Sequence, residues 1–155
     1  MRRSDRQVTD WAQIIEMLQS CQIMRVAMQD GEGLYIVPVN YGFALRDGRL
    51  VLYFHGAYEG RKAEAMRRPI PVAFEMDGGM ELVEAREACA YGCRYFSVMG
   101  NGTARTVTDV AEKKRALAIL MKHQTGRDFE FTDSMADSTA VFAIDVDDYT
   151  AKQRR

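Results

Sequence analysis

The sequence predicts a mainly β fold, a six- to seven-stranded antiparallel barrel with flanking helices, and three observations carry that prediction. Apolar segments of strand length recur along the chain and are joined mostly by short turns rather than helical crossovers, which fits an antiparallel barrel better than a doubly wound sheet. Asp47-Gly48 between two of them marks a tight hairpin, because Asp-Gly tolerates the positive φ such a turn demands. Gly100-Asn101-Gly102 interrupts a long strand-like run over residues 95–107, where missing Cβ atoms permit the bend of a barrel corner.

Trp11, Ile14, Ile15 and Leu18 recur at helical spacing, and Asp10 with Gln13 makes a capping-box-like start, so the first element is a helix with one buried face. Residues 23–28 and 34–45 read as strands joined at Asp30-Gly31-Glu32-Gly33; in the second, Tyr35, Val37, Val39 and Tyr41 share one face at period two. Pro38 cannot donate to a ladder, which assigns it to an edge or bulge where backbone groups are free for a ligand. Residues 50–54 add a third strand. The Ala-, Arg-, Lys- and Glu-rich run over 59–68 predicts a short helix, stopped by Pro69 and Pro71 before a strand over 72–76. No pattern decides residues 77–93. The capping box Asp109-Val110-Ala111-Glu112 opens an amphipathic helix over 109–122, with Leu117, Leu120 and Met121 on one face. Residues 124–138 read as a polar surface loop and 141–146 as the last strand.

With 155 residues, 47% of them apolar and no break in composition, residues 1–155 are expected to form one domain with a substantial core. The net charge of −1, with dispersed basic residues, excludes a dedicated nucleic-acid binder. No stretch approaches the roughly 20 apolar residues of a membrane span, and the N-terminal residues lack a signal-peptide core, so no membrane association and a cytoplasmic location are expected. Cys21, Cys89 and Cys93 form no paired framework, and Cys89-x3-Cys93 lacks a second ligand pair; they read as reduced thiols, with no metal site.

The chemistry concentrates in residues 54–62. Gly60-Arg61-Lys62 places two cations at a predicted helix start, where free backbone N–H groups and the dipole favour a phosphate and glycine allows close approach. Taken alone, the pair equally reads as solvated helix residues. His55 ends an apolar strand, suited to hydrogen-bonding a cofactor ring, ligating a haem iron or moving a proton near neutral pH; a lone histidine is more often structural. His123 reads as a favourable charge at a helix C-terminus. Ser97, on the bent strand, is either a cofactor donor or a solvent-facing polar residue. Tyr35, Tyr41, Tyr53 and Phe54 wall an apolar slot or simply fill the core, and the ten methionines read as core filling. There is no His-Glu-x-x-His, no Gly-x-Ser-x-Gly elbow and no glycine-rich nucleotide loop.

Assembled, these residues resemble the FMN-binding split-barrel superfamily that includes pyridoxamine 5'-phosphate oxidase, and within it the nitroimidazole-resistance proteins. The segments that carry the resemblance run in order: Met1-Arg2-Arg3 with Asp5-Arg6; Arg25-Val26-Ala27; Val37-Pro38-Val39-Asn40-Tyr41-Gly42; Phe54-His55 with Gly60-Arg61-Lys62; Ser97-Val98-Met99-Gly100-x-Gly102; and Glu112-Lys113 with Ala116-Leu117. Each is short; their order and spacing make the likeness specific. The resemblance implies a split β-barrel homodimer with two FMN molecules at the subunit interface. Arg61 and Lys62 would hold the phosphate, with Gly60 beside them. The isoalloxazine would lie along Arg25, Val26 and Ala27 and along Val39, Asn40 and Tyr41, with His55 next to it and Ser97 as a further contact. In the nitroimidazole-resistance branch the equivalent histidine is implicated in cofactor or haem binding, so FAD and haem are the alternatives to FMN, His55 being the haem axial ligand. The chain closes with Tyr149-Thr150-Ala151-Lys152-Gln153-Arg154-Arg155, without the arginine- and histidine-containing substrate motif of true oxidases, and Ala151 stands where the resembling ending commonly has glycine. The expectation is therefore an FMN-dependent oxidoreductase acting on a small molecule such as a nitroimidazole or nitroaromatic. A non-catalytic haem or flavin carrier or sensor using His55 is the alternative, and a cofactor-free scaffold the third reading.

Overall fold

The computed structural model describes residues 3–155, so the Met1-Arg2 part of the N-terminal motif lies outside the described residues. After one 3-10 turn at Ser4–Arg6 come β1 (Gln7–Val8), α1 (Trp11–Ser20), β2 (Ile23–Asp30), β3 (Gly33–Arg46), β4 (Arg49–Gly56), α2 (Arg61–Ala65) and β5 (Ile70–Val83). Then follow β6 (Gly92–Thr106), α3 (Val110–Thr125), α4 (Asp133–Asp137) and β7 (Ala140–Arg154). The strands are antiparallel in the order β1-β7-β4-β3-β2-β5-β6, and β6 pairs back onto β7. That pairing closes the sheet and removes most of its open edges. The mainly β antiparallel barrel expected from the sequence is thus the fold.

Alternation at period two sends one set of side chains inward. Met24, Val26 and Met28 of β2, Val39 and Tyr41 of β3, Leu50, Leu52 and Phe54 of β4, and Val72, Phe74 and Met76 of β5 fill the interior together with Phe142 and Ile144 of β7. The end of the barrel is covered by Ile14, Met17 and Leu18 of α1, whose N-terminus is capped by Asp10 accepting from Ala12 N. A second apolar cluster lies outside the barrel, where Val51, Tyr53, Val141 and Ala143 meet Ala116 and Leu117 of α3. β4 is therefore buried on both faces, which is why residues 50–54 read as an unbroken apolar run rather than an alternating one.

Backbone signals act where the sequence placed them. Asp47 and Gly48 both take positive φ, 51° and 78°, in the β3–β4 hairpin. β6 runs unbroken through Gly100 and Gly102, with its register against β7 shifting between Asn101 and Gly102, the bulge expected of a bent strand. Residues 77–93 resolve into the rest of β5, with a bulge between Gly78 and Glu81, and a turn into β6.

The last three helices differ from expectation, and so does the final strand, which was expected over residues 141–146 but runs on to Arg154 because its second half pairs with β6. α2 has five residues instead of the ten of 59–68, because its exit is fixed by tertiary contacts: Met66 is fully buried and its carbonyl accepts from Thr106 Oγ1 at 2.9 Å. α3 runs three residues further, to the left-handed Gly126 (φ 72°), whose N–H donates to Lys122 O at 2.8 Å. Inside the expected polar loop a short α4 forms, capped by Thr132 Oγ1 and anchored by buried Ala136.

The feature that positions the site is a parting of strands. Residues 33–40 of β3 pair with β2 alone and residues 41–46 with β4. Beyond the Tyr41–Phe54 pair, β4 continues along β7 through His55 and Gly56, while the facing edge of β3 has no strand partner among the described residues. Pro38 lies in this half, at the edge its missing N–H requires.

Candidate cofactor-binding site

α2 sits at the opening between β3 and β4, and its first two residues reach opposite rims. Arg61 turns to the β2–β3 hairpin: Nε and Nη2 donate to the Asp30 carboxylate at 2.7 and 2.9 Å, and Nη2 also reaches Gly33 O at 3.4 Å. Its guanidinium lies 4.6 Å from the centre of the Tyr35 ring, and Nη1 is 3.7 Å from the exposed Glu32 carboxylate. Lys62 turns to the β4–β7 rim. Its ammonium donates to His55 O at 3.4 Å, lies 5.7 Å from the ring centres of both Phe54 and Phe142, and pairs with no carboxylate among the described residues. Gly56 makes this seat possible, since a Cβ there would stand 2.6 Å from Lys62 Nζ. Gly60 holds φ at 104° as the residue before α2, a conformation that L side chains rarely adopt.

The local fields follow. Arg61 holds the Asp30 carboxyl down at about 2 through their hydrogen bonds, so Asp30 is ionised at any ordinary pH. Burial lowers the pKa of Lys62. Loss of water around part of its ring, and then the Lys62 charge, lowers that of His55, which is neutral at pH 7 with an exposed ring edge. Thr139 Oγ1 donates to Gly56 O at 2.9 Å and stands 3.5 Å from His55 Nδ1. With its proton on Gly56 O, the hydroxyl faces the ring as an acceptor, which favours the Nδ1–H tautomer and leaves the lone pair on Nε2, which has no hydrogen-bond partner among the described residues.

The structure brings Gly60, Arg61, Lys62 and His55 together at the opening, and lines one rim with the backbone of Val39 and Asn40; Tyr41 is not part of that free edge, since it pairs with Phe54 and its carbonyl accepts from Gln124 Nε2 at 2.9 Å. The Val39 and Tyr41 side chains point into the core, the latter donating its hydroxyl to Leu18 O at 2.6 Å. Asn40 Nδ2 is committed to Gln22 O and Gln124 Oε1. On β2, Val26 is buried and Arg25 and Ala27 face outward; Arg25 Nη1 pairs with Glu75 and Asp77 at 3.0 and 2.6 Å. Ser97 stands apart. It is paired in register with Asp77 and Lys152, two strands beyond β2, and is not part of the cluster at α2. His123 carries no helix-end charge: its ring packs on Tyr41 and Phe43, Nε2 donates to Cys21 O at 2.7 Å, and burial lowers its pKa. Among the described residues no three His, Cys, Asp or Glu side chains gather as a metal site. Among the described residues no helix is long and apolar enough to cross a membrane.

Two contributors escape a reading of the sequence. Asp30 looks like a turn residue, yet it binds Arg61. Lys113 looks like a solvated helix residue, yet it is buried and donates from Nζ to Tyr58 Oη at 3.0 Å, while Tyr58 donates to Asp137 O at 2.9 Å. This ties the loop leading to Gly60 onto α3 and α4. The signal for Lys113 was its place on the buried stripe of Ala116, Leu117 and Leu120.

Residues 10–153 match the profile of the family described as pyridoxamine 5'-phosphate oxidase. The chain belongs to that family. A candidate 5-nitroimidazole antibiotic resistance protein from Bacteroides thetaiotaomicron is 31% identical over 95% of this chain and 86% of its own, with a TM-score of 0.79. The FAD and heme binding protein from Mycobacterium smegmatis (20% identity, 97% and 74% coverage, TM-score 0.80) shares the fold of this pyridoxamine 5'-phosphate oxidase family member. So does a flavocytochrome from Azotobacter vinelandii (21%, 100% and 72%, 0.78). A search of curated proteins gives no match.

Proposed function

We propose that this chain is an FMN-binding oxidoreductase that reduces small electron-poor aromatics, nitro compounds among them. The observation that carries the reading is the opening between β3 and β4, with Arg61 on one rim and the carboxylate-free Lys62 on the other. The residues fit the group. A phosphate calls for cations and a backbone that allows close approach, met by Arg61, Lys62 and Gly60; a planar ring calls for backbone donors and acceptors along an edge, met by residues 33–40. Bound FMN would supply the electron and hydride chemistry. The chain's own part is to neutralise the phosphate with Lys62 and Arg61, to hold the ring edge with β3 backbone groups, and to offer His55 Nε2 as an acceptor. Membership of the family, and relatives described by nitroimidazole resistance or flavin binding, support the same reading.

A homodimer belongs to this proposal. Ile23, Leu34, Ile36 and Met99 are exposed on the outer face of β2, β3 and β6 around the Arg25–Glu75 and Arg25–Asp77 ion pairs, a mixed apolar and charged face suited to a second copy. Pairing there would let the partner subunit cover the opening and bring Ser97 across to it. Three free thiols fit a cytoplasmic protein.

A second reading is favoured by one observation: His55 is exposed and neutral, and its unpaired Nε2 is the kind of donor a haem iron takes. Titration of the purified protein with FMN and with hemin separates the two. The flavin reading expects FMN absorbance and quenched flavin fluorescence, affinity lowered about tenfold or more in Lys62→Met, and reoxidation of the reduced protein by a nitroaromatic faster than by buffer. Absence of FMN uptake rejects it, and a hemin Soret shift that His55→Ala abolishes would establish the haem reading instead.

A further inference from the structure

We infer that Asp30 is the positioning residue of the phosphate contact: it grips one edge of the Arg61 guanidinium and leaves Nη1 to the anion. The inference rests on the FMN reading and adds a residue to it. Asp30 is itself immobilised, since Oδ1 accepts from Glu32 N at 2.9 Å within the hairpin turn, and its side chain is only 14% exposed. From that fixed base it takes Nε and Nη2 of Arg61 at 2.7 and 2.9 Å, while Tyr35 beneath the guanidinium sets the plane. A planar fork held at one edge and stacked on a ring has its remaining donors aimed in one direction. What faces them is Glu32, 78% exposed and 3.7 Å from Nη1, too far for a hydrogen bond and free to leave into water when an anion arrives.

The opposite role is conceivable on charge alone, because two carboxylates beside Arg61 repel a phosphate. The two roles differ in sign. If Asp30 positions Arg61, neutralising it weakens the phosphate contact; if it competes, neutralising it strengthens that contact. Riboflavin, the same ring without the phosphate, isolates the term.

Dissociation constants for FMN and riboflavin are measured by flavin fluorescence quenching on the full chain for wild type, Asp30→Asn, Arg61→Lys and Glu32→Gln. The expected result is that wild type prefers FMN. In Asp30→Asn that preference falls about tenfold with riboflavin affinity unchanged, as expected for loss of a charge-assisted bidentate contact. Glu32→Gln keeps or raises the preference. Arg61→Lys, which keeps the charge but cannot be held at an edge, loses the preference as Asp30→Asn does; if Asp30→Asn fails to fold, Asp30→Glu replaces it, because it keeps the charge but moves the carboxylate that holds the fork, so a lowered preference supports positioning and an unchanged or raised one overturns it. An FMN preference that is unchanged or increased in Asp30→Asn overturns the inference while leaving the flavin reading intact, as does equal wild-type affinity for the two flavins. Wild type that binds neither flavin overturns the flavin reading and this inference with it.

Discussion

Gly42→Ala tests how closely α3 must lie on the barrel. A Cβ at position 42 would stand 2.7 Å from Leu120 Cα, 2.8 Å from Leu120 N and 2.9 Å from Ile119 C, all backbone atoms of α3 that no rotamer change can move. Ordinary contact begins at 3.4 Å, so relief needs about 0.7 Å of separation between β3 and α3. The helix is not free to drift. At its start Glu112 accepts from Arg105 Nη2 at 2.7 Å, and at its end His123 Nε2 donates to Cys21 O at 2.7 Å and Gln124 Nε2 to Tyr41 O at 2.9 Å. A displacement of that size takes the last two to about 3.4–3.6 Å, where hydrogen bonds fail. Overpacking of about 1–3 kcal/mol, together with partial loss of two bonds of about 1 kcal/mol each, gives an expected destabilisation of about 2–4 kcal/mol. Urea denaturation followed by circular dichroism should show that loss with the slope unchanged. Gly31→Ala serves as control, because nothing lies within 4 Å of a Cβ there. A change below about 0.5 kcal/mol in Gly42→Ala, within the range of ordinary surface substitutions, would refute direct backbone packing of α3 on Gly42.

Two further outcomes follow from buried groups. Burial lowers the pKa of His123 below its ordinary 6.5, so the folded chain binds fewer protons than the unfolded chain just below that pH. Its contribution to stability is therefore full above pH 6.5 and falls as pH drops through 6.5 toward the folded value; the gap in denaturation midpoint between wild type and His123→Gln should narrow from pH 7.5 to pH 5.5, and a gap that is constant or wider contradicts the assignment. The thiols should separate by reactivity: Cys89 is exposed and Cys93 partly so, whereas Cys21 is buried and pushed up to about 11 by that burial. Titration with a disulfide reagent at pH 8 should label Cys89 at once and Cys21 only after denaturant is added; native labelling of all three would disprove the burial of Cys21.

Much of the fold is written in local signals. The Asp47-Gly48 hairpin, the glycine-bent strand and the two capped helices depend on backbone preferences of a few adjacent residues, and these act wherever they occur in a chain. The true lengths of α2 and of β5 were not legible, because Met66 and Thr106 stop the one, and pairing with β6 carries the other through residues 77–83. The cation pair was visible as sequence neighbours. Its division between two rims was not, since consecutive residues at the start of a helix point about 100° apart and their partners come from 31 positions upstream for Arg61 and from β4 and β7 for Lys62.

Short-range properties, namely periodicity, turn chemistry and capping, were enough to read from the sequence the antiparallel β class, the order of α1, α2, α3 and the long strands, and the residue types at the opening, but not β1 or α4. Tertiary structure alone decided that β3 and β4 part after Tyr41 and Phe54, that Asp30 grips Arg61 while Lys62 stays free of carboxylates, and that Lys113 lies buried under Tyr58. Those outcomes depend on which distant groups share a small volume, where desolvation and a nearby charge, not the identity of a residue's neighbours in the chain, set what an ionisable side chain does.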